Sequence, residues 1–161
     1  MSKQKFTHIS SSGLPQMVDV SKKKVTRRVA KAQAIVHAGR DIISRIQNDE
    51  IITKKGPVFQ TAIIAGVMGA KKTAELIPFC HPLGLEDCQI KIHVKENKII
   101  IDATAIITAK TGVEMEVLTA ASVAALTVYD MCKALSHDIV IEGIRLMEKT
   151  GGKKDFKRKT L

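Results

Sequence analysis

Two stretches of this chain put side chains capable of acid–base work into apolar surroundings. Residues 75–85 (ELIPFCHPLGL) set Cys80 and His81 between Pro78 and Pro82. Residues 109–135 (AKTGVEMEVLTAASVAALTVYDMCKAL) read as one long apolar helix, yet carry Glu114, Glu116, Asp130 and Lys133. An unpaired charge in apolar surroundings costs several kcal/mol. Such groups are expected to be paired, to sit at an interface, or to line a site.

Each group suggests its own chemistry. Asp130 and Lys133 stand at i and i+3, so a helix places them on one face. On spacing alone they make an ordinary helix ion pair. Among Tyr129, Met131, Cys132, Ala134 and Leu135, a lysine paired in this way can have a lowered pKa and move protons. Glu114 has capping-box spacing from Thr111, whereas Glu116, a turn into the helix, has no such partner. A carboxylate accepts two N–H groups side by side, which suits the N–H and amine edge of a guanine-derived ring. His81 is presented by a turn that two prolines stiffen. Cys80 beside it reads either as a pocket residue or as a small buried apolar side chain. Lys55 precedes Gly56 in a basic loop and reads either as a solvated lysine or as a cation facing substrate. The histidines show no i, i+4 pair and the cysteines no CxxC, so no metal site is expected. Walker and Rossmann glycine patterns are absent from the sequence.

The elements that must hold these groups follow from periodicity. Residues 25–38 predict a long strand, marked by Val25, Val29 and Ile35 in partial alternation. Residues 41–48 can form a short helix, and 51–57 (IITKKGP) a basic loop. Residues 59–76 predict a helix whose Gly66 and Gly69 would let another backbone approach, at up to about 1 kcal/mol each in propensity. Residues 88–95 put Ile90, Ile92 and Val94 on one face and Gln89, Lys91, His93 and Lys95 on the other. Glu96 and Asn97 make the turn to a partner strand, 99–108. After the long helix come a strand at 139–149 and a basic tail. This order, βαββαβ, predicts an α+β ferredoxin-like fold: an antiparallel sheet with helices packed on one face. All 161 residues fit one domain. Residues 1–16 read as a loosely ordered arm and 150–161 as a mobile basic tail.

Composition bounds the rest. Hydrophobic residues make up 45% but aromatics only 3%, so the core must be aliphatic. Twenty-six Lys and Arg against sixteen Asp and Glu give +10, which favours an anionic partner or simply solubility. Cys80, Cys88 and Cys132 lie far apart, as expected of a reducing, cytoplasmic setting. The N-terminus shows no apolar signal region, and no apolar run looks long enough for a membrane span.

Several words recur in order along the chain: MVDV (17–20), KG (55–56), AGVMGAK (65–71), LIPFCHPL (76–83), KTGVEME (110–116), LTAAS (118–122), YDMCKA (129–134) and GGK (151–153). Together they resemble the cyclic pyranopterin monophosphate synthase family of molybdenum cofactor biosynthesis. The resemblance implies that Asp130 and Lys133 are the catalytic pair and Lys55 an essential lysine facing substrate. It assigns Phe79, Cys80, His81, Met115 and Glu116 to substrate binding, with Glu114 beside them. Arg28 and Lys153 match residues of segments that close over a triphosphate. Pro57 stands where many members have Asp, and the tail lacks the Ser-Gly that usually follows the first lysine of GGK. The implied reaction converts 3′,8-cyclised dihydro-GTP to cyclic pyranopterin monophosphate and pyrophosphate, as a phosphorus–oxygen lyase. It needs no redox cofactor; Mg²⁺ could travel with the triphosphate. The family's assembly is a homohexamer, a trimer of dimers with sites at the dimer interfaces.

Helix geometry leads to the same expectation of an oligomer. Glu116 and Asp130 are fourteen residues apart, about 21 Å along a helix and only about 40° apart around it. One compact reacting centre can hardly touch both within one chain, so either the substrate spans the helix or two copies of the chain each lend one end. A rival reading is a non-enzymatic RNA-binding domain, since ferredoxin-like sheets often bind RNA. Such sheets stack bases on strand aromatics, and residues 88–95 and 99–108 contain none. A small-molecule substrate is therefore expected as partner, with neither nucleic acid nor membrane.

Overall fold

A computed structural model describes residues 13–159; residues 1–12 of the expected arm, and residues 160–161 of the expected tail, fall outside the described residues. The main strands are β1 (Thr26–His37), β4 (Asp87–Lys95), β5 (Lys98–Ala109) and β6 (Val140–Thr150). The main helices are α2 (Val58–Lys71) and α4 (Glu114–Cys132). Smaller elements are α1 (Arg40–Ile43), β2 (Ile52–Thr53), β3 (Gly56–Pro57), α3 (Thr73–Leu76) and β7 (Phe156–Lys157). The large sheet runs β4-β5-β1-β6-β7, and every neighbouring pair is antiparallel. With α2 joining β1 to β4 and α4 joining β5 to β6, this is the ferredoxin-like arrangement. Helix α4 packs across β1, β5 and β6, and α2 packs on α4 and β4.

Alanine sets the spacing of these layers. The buried face of β1 is Ala30, Ala32, Ala34 and Val36. The residues expected to mark its apolar face, Val25, Val29 and Ile35, have the opposite parity. Val25 is exposed, and Val29 and Ile35 are half-buried on the other side. The reason lies in α4, which buries Ala120, Ala121, Ala124 and Ala125. Small residues on both surfaces let helix and sheet backbones approach, so size outweighs hydrophobicity in choosing the inner face. The glycines of α2 serve the same end. A Cβ on Gly66 would lie 2.9 Å from the Ala120 carbonyl oxygen and overlap the Ile90 side chain, and one on Gly69 would lie 2.7 Å from Val123. The backbone that these glycines admit is that of α4 in the same chain.

Other expectations shift in detail. The helix at 59–76 breaks at Lys72 into α2 and α3. The helix at 41–48 shortens to α1, and Asn48 and Asp49, with φ of 50° and 57°, form the turn of a small Gln47–Glu50 bridge beyond it. The basic loop at 51–57 is a small hairpin, β2 with β3. Within the tail, β7 pairs with β6 through Glu148–Lys157 and Lys149–Phe156. By length and composition alone α4 could cross a membrane, contrary to the expectation that no run is long enough. Here it is the core helix, with Val117, Val128, Met131 and Cys132 buried among its alanines.

Candidate active site

The N-terminal end of α4 closes one side of a pocket of about 280 Å³. Glu114, Met115 and Glu116 line it from the helix; Phe79, Cys80 and His81 line it from the turn after α3. The proline-flanked turn is not buried as its sequence suggested: Phe79 is exposed and Cys80 and His81 are half-buried. Apolar side chains left open in a cavity suit a flat ring. Glu116 is the one acid of this set that is buried, at 4% exposure. Burial pushes its carboxyl above the ordinary range, and the charge of Glu114 adds to that. Cys80 is likewise pushed up, by burial and then by Glu116, so it stays a thiol and lacks the character of a nucleophile.

Glu114 does not cap the helix with Thr111. Val113 is the N-cap residue and makes no side-chain cap bond. Instead Glu114 Oε1 accepts a hydrogen bond from Lys149 Nζ at 2.8 Å. Lys149 reaches it because β6 pairs with β1 so that Lys149 stands opposite inward-facing Ala30.

A second, basic cavity of about 530 Å³ adjoins the first, and Lys23, Thr111, Gly112 and Glu114 line both. Its cations are Lys23, Arg28, Lys149, Lys153 and Lys154. Arg28 is fixed by two bonds from its guanidinium, Nε to the Ala109 carbonyl at 3.1 Å and Nη2 to that of Lys110 at 3.2 Å. Lys153 is carried by a turn at Gly151, where φ is 81° and a Cβ would strike the Arg27 carbonyl. Thr26 Oγ1 donates to the Gly151 carbonyl at 2.7 Å, and Gly151 N to Asp155 Oδ1 at 3.1 Å. Clustered cations of this kind suit a polyphosphate.

The remaining predicted residues meet at the far end of α4. Asp130 Oδ2 accepts from Lys55 Nζ at 2.6 Å, and Oδ1 lies 2.9 Å from Lys133 Nζ. Lys55 Nζ also donates to the Asp130 carbonyl at 3.0 Å. All three side chains are about half exposed, between 48% and 53%. The Lys55 and Lys133 bonds hold the Asp130 carboxyl down to about 2. Lys133 is raised, first by its bond to Asp130 and then by that charge. The expected lowering of Lys133 does not occur, because Met131 and Cys132 turn inward while the ammonium stays in solvent. Glu50 braces this end: its Oε1 accepts from the backbone N–H groups of Ile51 and Phe59, and Oε2 from that of Gln60. It thereby caps α2, whose own N-cap is Pro57, and anchors the hairpin that presents Lys55.

Thus the structure divides the predicted residues into two groups, one at each end of α4. A family model described as the MoaC family matches residues 17–152. The chain belongs to the MoaC family. It is 49% identical over 155 residues to a Drosophila melanogaster protein named molybdenum cofactor biosynthesis protein 1, covering 95% of this chain and 27% of that protein. It is 48% identical over 161 residues to a Synechocystis sp. protein named molybdenum cofactor biosynthesis bifunctional protein, covering 97% and 46%. A Dictyostelium discoideum protein, also named molybdenum cofactor biosynthesis protein 1, is 45% identical over 166 residues, covering 92% and 26%. The chain therefore spans between about a quarter and just under half of the length of these relatives. The MoaC-family match takes in every predicted site residue except Lys153, which directly follows it.

Sequence reasoning missed Lys23, Lys149, Lys154 and Glu50. Lys149 had a usable signal, since it ends a strand and Glu114 needed a cation. Lys23 was hidden in the run 22–24, where composition alone suggests a solvated stretch.

Proposed function

We propose that this chain is a cyclic pyranopterin monophosphate synthase, a lyase that converts 3′,8-cyclised dihydro-GTP to cyclic pyranopterin monophosphate and pyrophosphate. The observation that carries the reading is the continuity of an acid-lined ring pocket with a basic cavity. A guanine-derived triphosphate has that same order of parts. Glu116, disfavoured as a buried anion, gains most from N–H donors of the ring. Glu114 and Met115 flank it, and Phe79, Cys80 and His81 form the wall. Arg28 and Lys153, with Lys23 and Lys154, neutralise the triphosphate. When a substrate hydroxyl oxygen bonds the α-phosphorus, the bond from that phosphorus to pyrophosphate breaks, and these cations stabilise the departing charge. Mg²⁺ can accompany the triphosphate; the rearrangement is redox-neutral. Lys133, held protonated by Asp130, is placed to donate a proton, and Lys55 is the second acid or base.

The two groups at the ends of α4 are half-sites in this reading, completed by a second copy of the chain. Exposed Ile64, Met68 and Leu126 give such a copy apolar surface to cover. A hexamer of three dimers follows as the proposed assembly. Three free thiols are consistent with a reducing, cytoplasmic setting. The RNA-binding alternative finds little support in the sheet, since its four long strands, β1, β4, β5 and β6, carry no Phe, Tyr or Trp. Incubating the purified protein with the cyclised GTP derivative should release pyrophosphate stoichiometrically with cyclic pyranopterin monophosphate. Assembled protein that releases none would refute the reading.

A further inference from the structure

Two of the sequence words have no part in the chemistry described so far: MVDV at 17–20, and the lysine that opens KTGVEME. In the structure they meet. Residues 17–20 alternate, with Met17 and Asp19 exposed and Val18 and Val20 half-buried. Val18 and Val20 line the ring pocket together with Phe79 and Met115. Lys23, three residues on, lines both the ring pocket and the basic cavity. The segment is therefore a strap laid over the junction of the two cavities. Its turn is held locally by Ser21 N donating to Asp19 Oδ1 at 2.8 Å and Lys23 N donating to the Val20 carbonyl at 3.0 Å. From the body of the fold, Lys110 Nζ donates to the Ser21 carbonyl at 2.7 Å, across 89 residues of chain. The backbone of Lys110 is itself pinned, because its carbonyl accepts from Arg28 Nη2 at 3.2 Å.

We propose that Lys110 is a positioning residue that latches residues 17–24 over the ring pocket, so that Val18 and Val20 grip the substrate ring and Lys23 stands at its junction with the phosphates. The latch itself follows from geometry; its use in binding rests on the function proposed above. A charge-assisted bond to a backbone carbonyl suits a latch, since it fixes the turn whatever side chains the strap carries. Its strength lies within the range that substrate binding can supplement.

The test pairs two readouts on Lys110→Met and Lys110→Arg. Without substrate, limited trypsin digestion should cut after residues 22–24 several-fold faster in Lys110→Met than in wild type, with Tm unchanged. In turnover of the cyclised GTP derivative, Lys110→Met should raise KM about ten-fold, the low end for losing a hydrogen bond from a charged donor. Its kcat should stay within about three-fold of wild type, and Lys110→Arg, which keeps a cationic donor, should restore both KM and the protease resistance. An unchanged cutting rate overturns the latch. Faster cutting with unaltered KM shows a strap that takes no part in the site, and a fall in kcat alone shows a chemical or global role; either overturns the proposal. If wild type itself makes no product, the functional reading fails separately. GTP affinity of the same variants then decides, and an affinity equal to that of wild type overturns it.

Discussion

The two ends of α4 carry similar residue types in opposite states. At the N-terminal end, Glu116 is buried and its carboxyl is pushed toward neutrality. At the C-terminal end, Asp130 is half exposed, bracketed by two ammonium groups, and held down to about 2. The difference follows from position on the same helix. In the first turn, Glu116 lines the pocket shared with the turn at 79–81 and Glu114, whereas Asp130, in the last turn, meets Lys55 of the β2–β3 hairpin. A desolvated acid without a cation is poised to accept donors from a ligand. A solvated acid holding two lysines cannot bind much more, but it keeps Lys133 protonated and both ammonium groups aimed. On the function proposed above, recognition falls to one end and proton delivery to the other.

The most damaging way to probe that division is Lys133→Ala. It should leave the fold intact, because the side chain is half exposed, and cut turnover by about a thousand-fold or more, within the range for a lost acid–base group. Near-normal product from a correctly assembled variant would remove Lys133 from the chemistry. Lys55→Met should cost somewhat less, at least about 100-fold. It leaves Asp130 with one of its two partners, so the Asp130–Lys133 pair survives. A loss of only a few-fold would return Lys55 to the surface.

Mixing inactive variants sharpens the comparison further. Glu116→Ala and Lys133→Ala damage opposite ends. Unfolded, mixed and refolded together, half of randomly paired dimers are mixed, and each mixed dimer has one intact site, so about a quarter of all sites should work. Lys55 and Lys133 contact the same Asp130 within one chain. Lys55→Met and Lys133→Ala should therefore fail to rescue each other. Rescue by that second pair, or none by the first despite proven mixing, would show that the ends are not the halves of a shared site.

The fold, and which of the predicted residues gather at each end of α4, were largely readable, for identifiable reasons. The β4–β5 hairpin alternates cleanly, and α2 and α4 are long and apolar, so local pattern and tertiary role agree. In β1 they disagree, because alanines on one face are chosen by the approach of α4 and not by hydrophobicity. Asp130 and Lys133 were readable as a pair from their spacing. Their protonation was not: the Asp130 shift depends first on Lys55, which is 75 residues away in sequence, and the Lys133 shift on the ammonium staying in solvent beside Asp130. The Glu50 cap and the Lys149–Glu114 bond were hidden for the same reason: each joins elements whose register only the folded sheet and hairpin establish.

The smallest expected effect is the most specific test of the contrast, because it asks for opposite signs. The folded-state pKa of Glu116 is raised by burial. Below its unfolded value of about 4.5 the carboxyl is neutral in both states. As pH rises from there through the raised folded value, the unfolded chain releases a proton that the folded chain still holds, so stability falls across that window. Glu116→Gln removes the penalty while keeping the shape. It should raise Tm at pH 8, with the gain vanishing near pH 4. Asp130 runs the other way. Its folded pKa is depressed to about 2, so its contribution is present above the unfolded value near 3.8 and is lost as pH falls through about 2. Asp130→Asn should therefore lower Tm at pH 8, and only slightly, because the group is solvated. Thermal scans of the two variants and wild type at pH 4 and pH 8 decide the matter. A Glu116→Gln protein less stable than wild type at pH 8 would mean that Glu116 is paired with a cation in the assembled protein, and the two ends of α4 would then be electrostatically alike.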